Sequence, residues 1–241
     1  MINYIVSTVL YIIGGFVFFT IGITVIFLTH FFKPQQYDKI VKWLCRLLLR
    51  LMFIRVETIG KEKINPQKTY IFMANHVNIF DVFILNGYIP NFVRGVELES
   101  HFNWPIWGKV ISRYGNIPIS QTRFLSAIKS LQKAEQAIRD GTSIIILPEG
   151  HRTKDGKLLP FMRGPFMMAL KTKVDIVPVV MIGAYKIKKV THWLVKPGKV
   201  KLVFGDIIPY QLIKDMSSKE LKEYVKNNIQ ELIDAHSNTP N

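Results

Sequence analysis

From Tyr4 to Phe32 the chain is almost unbroken aliphatic and aromatic sequence, interrupted by Gly14, Gly15 and Gly22, and residues 1–32 contain no Asp, Glu, Lys or Arg. Such a run belongs in lipid. As one helix it extends roughly 48 Å, against a hydrocarbon core of about 30 Å, so it has to tilt, bend at its glycines or bury part of itself against protein. No positive segment precedes it and no small-residue cleavage site follows, so it is expected to stay as an anchor.

Between Tyr37 and Ile54 the pattern becomes helical and two-faced. At 100° per residue, Ile40, Val41, Leu44, Leu47, Leu48, Leu51 and Met52 share one face, and Lys39, Lys42, Arg46 and Arg50 share the other. A basic amphipathic helix beside an apolar anchor reads as an interfacial element on an anionic leaflet. The competing reading packs its apolar face on the following domain. Lys33, Lys39, Lys42, Arg46, Arg50 and Arg55 follow the anchor, which sets the body on the cytoplasmic side of a cell membrane.

Beyond Arg55 short buried-strand patterns alternate with helical ones. Tyr70 to Ala74, Ser143 to Leu147, Ile176 to Met181 and Lys199 to Phe204 predict strands. Val82 to Tyr88, Phe124 to Arg139, Gly164 to Lys173 and Ser217 to His236 predict helices, the last capped by Ser217 or Ser218. The fold class is therefore α/β, a mixed, mostly parallel sheet flanked by helices and preceded by a membrane-associated two-helix segment. Residues 1–54 form the anchor segment and residues 55–241 one catalytic domain, a fitting size for 241 residues.

Charge narrows the partners. The chain carries 32 Lys and Arg against 17 Asp and Glu, a formal +15, so its surface attracts anions such as phospholipid headgroups, nucleic acid or phosphorylated metabolites. The single cysteine, Cys45, excludes an internal disulfide framework, and the six histidines show no metal-ligand spacing, so neither metal nor cofactor is expected.

Two segments carry chemistry. In Asn75-His76-Val77-Asn78-Ile79-Phe80-Asp81 a histidine leaves a strand and an aspartate opens the next helix. If the turn folds back, the carboxylate meets one imidazole nitrogen, fixes the tautomer and leaves the other nitrogen as a general base. A structural histidine and a plain helix cap fit the same spacing. In Leu147-Pro148-Glu149-Gly150-His151-Arg152-Thr153 a tight loop at a strand end offers a guanidinium, the natural clamp for a phosphate. Glu149 is suited to accept a hydrogen bond from a substrate hydroxyl or to hold Arg152, and a solvated surface turn is the alternative.

Together the two segments resemble the first and third motifs of the glycerolipid acyltransferases of the lysophosphatidate acyltransferase type. Gly115-Asn116-Ile117-Pro118-Ile119 resembles the second motif and Ile176-Val177-Pro178-Val179-Val180 the fourth, so the resemblance runs from about Arg55 to Asp206. The family's second motif ends in Asp-Arg, where this chain has Ser120-Gln121 and its nearest arginine at Arg123. The family's Phe-Lys-x-Gly is similar to Phe161-Met162-Arg163-Gly164.

The resemblance implies that His76, oriented by Asp81, deprotonates the acceptor hydroxyl of lysophosphatidic acid as it attacks an acyl thioester, acyl-CoA or acyl-ACP, giving phosphatidic acid. It implies substrate contacts from Asn75, Glu149, Gly150, Arg152, Arg163, Pro178 and one of Gln121 and Arg123. The implied partners are an anionic bilayer and these substrates, without nucleic acid. Glycerol 3-phosphate or another lysophospholipid is the alternative acceptor. A non-enzymatic anionic-membrane module accounts for the basic stretch from Lys186 to Lys201 but leaves both motifs without purpose. A serine hydrolase lacks its nucleophile elbow.

Overall fold

The computed structural model describes residues 2–120 and 124–237. In chain order the elements are α1 (Ile2–Leu28), α2 (Pro34–Leu51), β1 (Ile54–Ile59), β2 (Tyr70–Ala74), α3 (Asp81–Tyr88), β3 (Val93–Leu98), α4 (Trp107–Tyr114), β4 (Ile117–Ile119), α5 (Phe124–Arg139), β5 (Ser143–Ile146), α6 (Gly164–Thr172), β6 (Asp175–Ile182), α7 (Ala184–Ile187), β7 (Gly198–Phe204), α8 (Tyr210–Ile213) and α9 (Ser218–Ser237). The seven strands form one sheet in the order β1-β7-β6-β2-β5-β3-β4, parallel throughout except where β7 meets β6.

Period-two alternation along β2 builds both sides of the core. Tyr70, Phe72 and Ala74 enter the cluster shared with α1, α2 and α3, while Ile71 and Met73 enter the one shared with α5, α6 and α9. All five residues are at most 1 % exposed, because helices cover β2 on both faces. The carboxyl ends of β2, β5 and β6 therefore emerge together at one rim, where an open α/β sheet places ligands.

The four strands foreseen from the sequence are present; β1, β3, β4 and α4 are additions. β1 and β4 are the edge strands of the sheet, so β1 alternates Ile, Arg, Val, Glu, Thr, Ile like a half-covered surface and β4 has three residues around Pro118. At the start of α9, Glu220 N–H donates to Ser217 Oγ at 3.3 Å and Ser217 N–H to Glu220 Oε2 at 2.7 Å, a capping box that gives Ser217 the cap role.

The helix expected over Tyr37 to Ile54 spans Pro34–Leu51, and Ile54 begins β1. Its apolar face divides. Val41, Leu44, Leu48 and Met52 are buried against neighbouring elements, whereas Ile40, Trp43 and Leu51 stay exposed on an adjacent stripe. The basic face is also thinner than expected: Lys42 is buried, paired with Asp38 one turn earlier and donating to the Asn91 carbonyl at 2.8 Å. Arg46 donates to the Gly87 carbonyl at 2.8 Å, so α3, not lipid alone, is the partner of α2.

Among the described residues α1 is the one helix long and apolar enough to cross a membrane. Along it Ile5, Ile12, Phe16, Phe19, Ile23 and Phe27 form an exposed apolar face suited to lipid, while Leu10, Val17, Ile21 and Val25 join the core. Segments 1–54 and 55–241 thus share one hydrophobic cluster. A polar clasp fastens the amino-terminal half of α1: Ser7, fully buried, accepts from Val195 N–H at 3.0 Å and sits 3.1 Å from the Val195 carbonyl, and Tyr11 donates to the Trp193 carbonyl at 2.7 Å.

Ser7→Ala strands the Val195 peptide in a dry contact, so it should destabilise the docking of α1 by about 1–3 kcal/mol. Limited proteolysis in detergent should then cut the 188–196 loop faster in the variant, whereas equal cleavage rates would mean that the clasp holds nothing.

Candidate active site

Asp81 opens α3 with its carboxylate turned back over the preceding turn and only 1 % of the residue exposed. A charge so buried needs partners, and the loop supplies them from its backbone. Val77 N–H donates to Oδ2 at 2.6 Å, and Asn78 N–H donates to Oδ2 at 3.0 Å with Oδ1 at 3.1 Å. The helix amino terminus favours the same negative charge.

His76 Nδ1 lies 2.8 Å from Asp81 Oδ2. An ionised carboxylate only accepts, so this contact puts the ring proton on Nδ1 and the lone pair on Nε2. Among the described residues Nε2 has no hydrogen-bond partner, and the His76 side chain is 19 % exposed. The fold-back inferred from the His-x-x-x-x-Asp spacing is therefore present, and the imidazole offers a free basic nitrogen at the rim.

Asn78 is 2 % exposed; its Oδ1 accepts from Phe80 N–H at 2.8 Å and its Nδ2 donates to the Ala184 carbonyl at 2.7 Å and the Lys188 carbonyl at 3.2 Å. Asn75 Oδ1 accepts from Met181 N–H at 2.8 Å and Nδ2 donates to the Met181 carbonyl at 3.3 Å, prolonging the β2–β6 ladder through a side chain. Asn75, expected at the substrate, here ties the end of β2 to β6. Asn78 was not singled out in the sequence; a small polar residue inside an otherwise apolar turn is the signal that marks it.

Glu149 departs from expectation. Its residue is 4 % exposed, Oε1 accepts from His76 N–H at 2.6 Å and Oε2 from Leu159 N–H at 2.7 Å. It binds the backbone of the first motif, and it pairs neither with Arg152 nor with open solvent. Thr153 N–H donates to the His76 carbonyl at 3.0 Å, so both peptide groups of His76 are held by the second loop. Gly150, at φ 69°, makes the turn possible in a conformation that other residues resist.

Burial pushes the Glu149 carboxyl up to about 7, outweighing the two backbone donors, which pull it down. Arg152 is exposed on the same loop, and among the described residues its guanidinium makes no hydrogen bond. Burial, and then the charge of Arg152, lower the ammonium of Lys188, which places these two cations in each other's field.

Two further residues expected at the site make structural contacts. Arg163 Nε donates to Ser218 Oγ at 2.7 Å, joining the start of α6 to the start of α9. Pro178 is buried in β6 opposite Met73, and its carbonyl accepts from Gly205 N–H at 2.8 Å where the β6–β7 ladder ends, so its missing N–H costs no pairing. Gln121 and Arg123 lie outside the described residues.

The rim thus presents an imidazole with a free nitrogen, held by a buried carboxylate, and an arginine on the adjoining loop, groups suited to general-base chemistry on an anionic substrate. The chain belongs to the Acyltransferase family, whose sequence profile matches residues 55–182, more than half of the protein and all of the loops just described. It is 26 % identical over 182 residues to a 1-acyl-sn-glycerol-3-phosphate acyltransferase of Cocos nucifera, covering 75 % of this chain and 58 % of that one. It is 23 % identical over 214 residues to the protein of the same name from Helicobacter pylori, covering 86 % and 89 %. The chain spans 43–63 % of the length of the plant and algal relatives it matches, for example 48 % of one from Chlamydomonas reinhardtii. The crystal structure of the 1-acyl-sn-glycerophosphate (LPA) acyltransferase PlsC from Thermotoga maritima shares the fold with a TM-score of 0.85 at 22 % identity, over 99 % of both chains.

A carboxyl raised from 4.5 to about 7 makes the fold bind a proton that the unfolded chain releases. Its contribution is therefore fully present below pH 4.5 and is lost as pH rises through about 7, a swing on the order of 3 kcal/mol. Glu149→Gln removes this titration, so denaturant stability should fall less between these pH values in the variant than in the wild type. Parallel pH profiles would show that Glu149 keeps an ordinary carboxyl.

Proposed function

We propose that this protein transfers a fatty acyl group from acyl-CoA or acyl-ACP to the sn-2 hydroxyl of 1-acyl-glycerol-3-phosphate, forming phosphatidic acid for phospholipid synthesis. The observation that carries the reading is the 2.8 Å His76–Asp81 contact with Nε2 left free. The names borne by its relatives support the acceptor, and the membrane-associated α1 supports a lipid substrate.

Nε2 of His76 takes the hydroxyl proton as that oxygen forms its bond to the thioester carbonyl carbon. The carbonyl oxygen becomes a tetrahedral oxyanion, the carbon–sulfur bond breaks, and the imidazolium returns its proton to the departing thiolate. Asp81 holds the ring and stabilises its positive charge. No acyl-enzyme and no cofactor enter this sequence. Cys45 is a poor nucleophile, since complete burial pushes its thiol up to about 12.

Arg152 is assigned to the acceptor phosphate, with Gln121 or Arg123 as the second contact. A bidentate guanidinium fixes distance and angle together, which turns binding energy into orientation. The cations after α1 support an orientation with the catalytic domain on the cytoplasmic face. The charge of +15 is then matched by anionic headgroups, not by nucleic acid.

His76→Ala should cost roughly 10²- to 10⁴-fold in transfer, followed by thin-layer chromatography of labelled acyl thioester and lysophosphatidic acid, with folding and membrane attachment intact. Asp81→Asn should be milder. Near-normal turnover in His76→Ala would remove it as the base, and labelled free fatty acid in place of phosphatidic acid would make the protein a hydrolase.

Arg152→Lys and Arg152→Ala should raise KM for lysophosphatidic acid strongly and move KM for the thioester little, since lysine supplies charge without the fork. A defect confined to the acyl donor would reassign Arg152 to the donor's phosphates.

A further inference from the structure

At the edge of the sheet β1 and β7 begin side by side, Ile54 beside Gly198 and Arg55 beside Lys199. These two strands run against the other five, so they start at the rim where β2 and β6 end and where His76 stands. A groove of ≈ 650 Å³ opens there. Its nine lining residues include three cations, Arg50, Arg55 and Lys199, and no acid. Among the described residues none of the three side chains is engaged in a hydrogen bond or ion pair. Like charges gathered in a concavity of low dielectric create a strong positive potential and draw an anion.

The groove also carries apolar surface that a soluble anion does not use. Phe53 sits at φ 55°, a backbone conformation costly for a bulky residue, and the residue is 64 % exposed. Leu51 and Trp193, exposed at 40 % and 45 %, precede β1 and β7 in the chain. The Trp193 ring packs edge-on against Tyr4 and Tyr11 of α1, at 6.1 Å and 5.2 Å between centroids, so the loop leading to Pro197 and β7 is fastened to the apolar helix. Tyr88 and Pro197 complete the wall. A cationic pocket with an exposed ring at its mouth matches an amphiphile, with the phosphate inside and the hydrocarbon along the ring.

We propose that this groove binds the phosphate headgroup of an anionic bilayer phospholipid, at a site separate from the acceptor site, with Arg50, Arg55 and Lys199 on the phosphate and Phe53 against the acyl chains. Such a lipid ties the β1–β7 edge to the membrane and presents the catalytic rim to the surface from which an acceptor lipid arrives. The proposal rests on the proposed function for that purpose and for the acceptor site at Arg152, and its test reads bound lipid, with transfer as a control.

Native mass spectrometry of the full chain, released from neutral-detergent micelles titrated with phosphatidylglycerol or phosphatidylcholine, counts bound lipids. The wild type should hold one phosphatidylglycerol in preference to phosphatidylcholine. The triple variant Arg50→Gln, Arg55→Gln, Lys199→Gln should bind it more than tenfold more weakly, at roughly fivefold per cation, with transfer in neutral micelles unchanged. Should the triple variant not fold, Lys199→Glu at an exposed position gives the same reading. Arg152→Ala should keep the adduct, since the acceptor site is elsewhere. Equal retention of the two lipids, an undiminished adduct in the cation variants, loss of the adduct in Arg152→Ala, or its displacement by an equal concentration of inorganic phosphate would each overturn the proposal, the last in favour of a free-phosphate pocket.

Discussion

The carboxylate of Asp81 is the constraint around which the catalytic rim is built. With 1 % of the residue exposed, it has lost its hydration, and an uncompensated charge in that position costs several kcal/mol. The chain recovers this by wrapping residues 76–78 around the two oxygens, so that two peptide N–H groups and one ring nitrogen converge on it. The direction of the imidazole follows from that wrapping. A histidine on a solvated turn would sample its rotamers; this one has its Nδ1 side fixed by the same group that satisfies the turn, which leaves Nε2 for chemistry.

A second buried carboxylate locks the arrangement from the other side. Glu149 grips His76 N–H and Leu159 N–H, while Thr153 N–H donates to the His76 carbonyl, so the loops following β2 and β5 are tied to each other. The acids therefore position, and the groups left unsatisfied, His76 Nε2 and the Arg152 guanidinium, are available to a substrate. The two carboxyls differ in electrostatic footing. Asp81 is met by several donors and a helix terminus, while for Glu149 burial outweighs two donors and lifts its carboxyl to about 7.

Much of the scheme was legible in the sequence because it rests on local patterns. The apolar runs of β2, β5, β6 and β7 are buried on both faces and read as such, and the His76–Asp81 spacing encodes its own fold-back. What escaped was set by tertiary partners. Helix α2 has one apolar arc in the sequence, yet α3 and α1 cover Val41, Leu44 and Leu48 and leave Ile40 and Trp43 outside, a division no helical wheel contains. Lys42 counts as a surface cation until Asp38 and the Asn91 carbonyl enclose it. The protein contacts of Glu149, Arg163 and Pro178 were likewise hidden, because a motif records which residues are required and not which of their atoms hold neighbouring backbone.

Base catalysis by His76 depends on the tautomer of its ring. Nitrogen-15 shifts of selectively labelled histidine in micelles, assigned to His76 by comparison with His76→Ala, read that tautomer directly at neutral pH. The neutral ring should carry its proton on Nδ1, with Nε2 showing the shift of a bare lone pair, and Asp81→Asn should disturb this state. A His76 ring protonated on Nε2, with Nδ1 bare toward Asp81, would contradict the account.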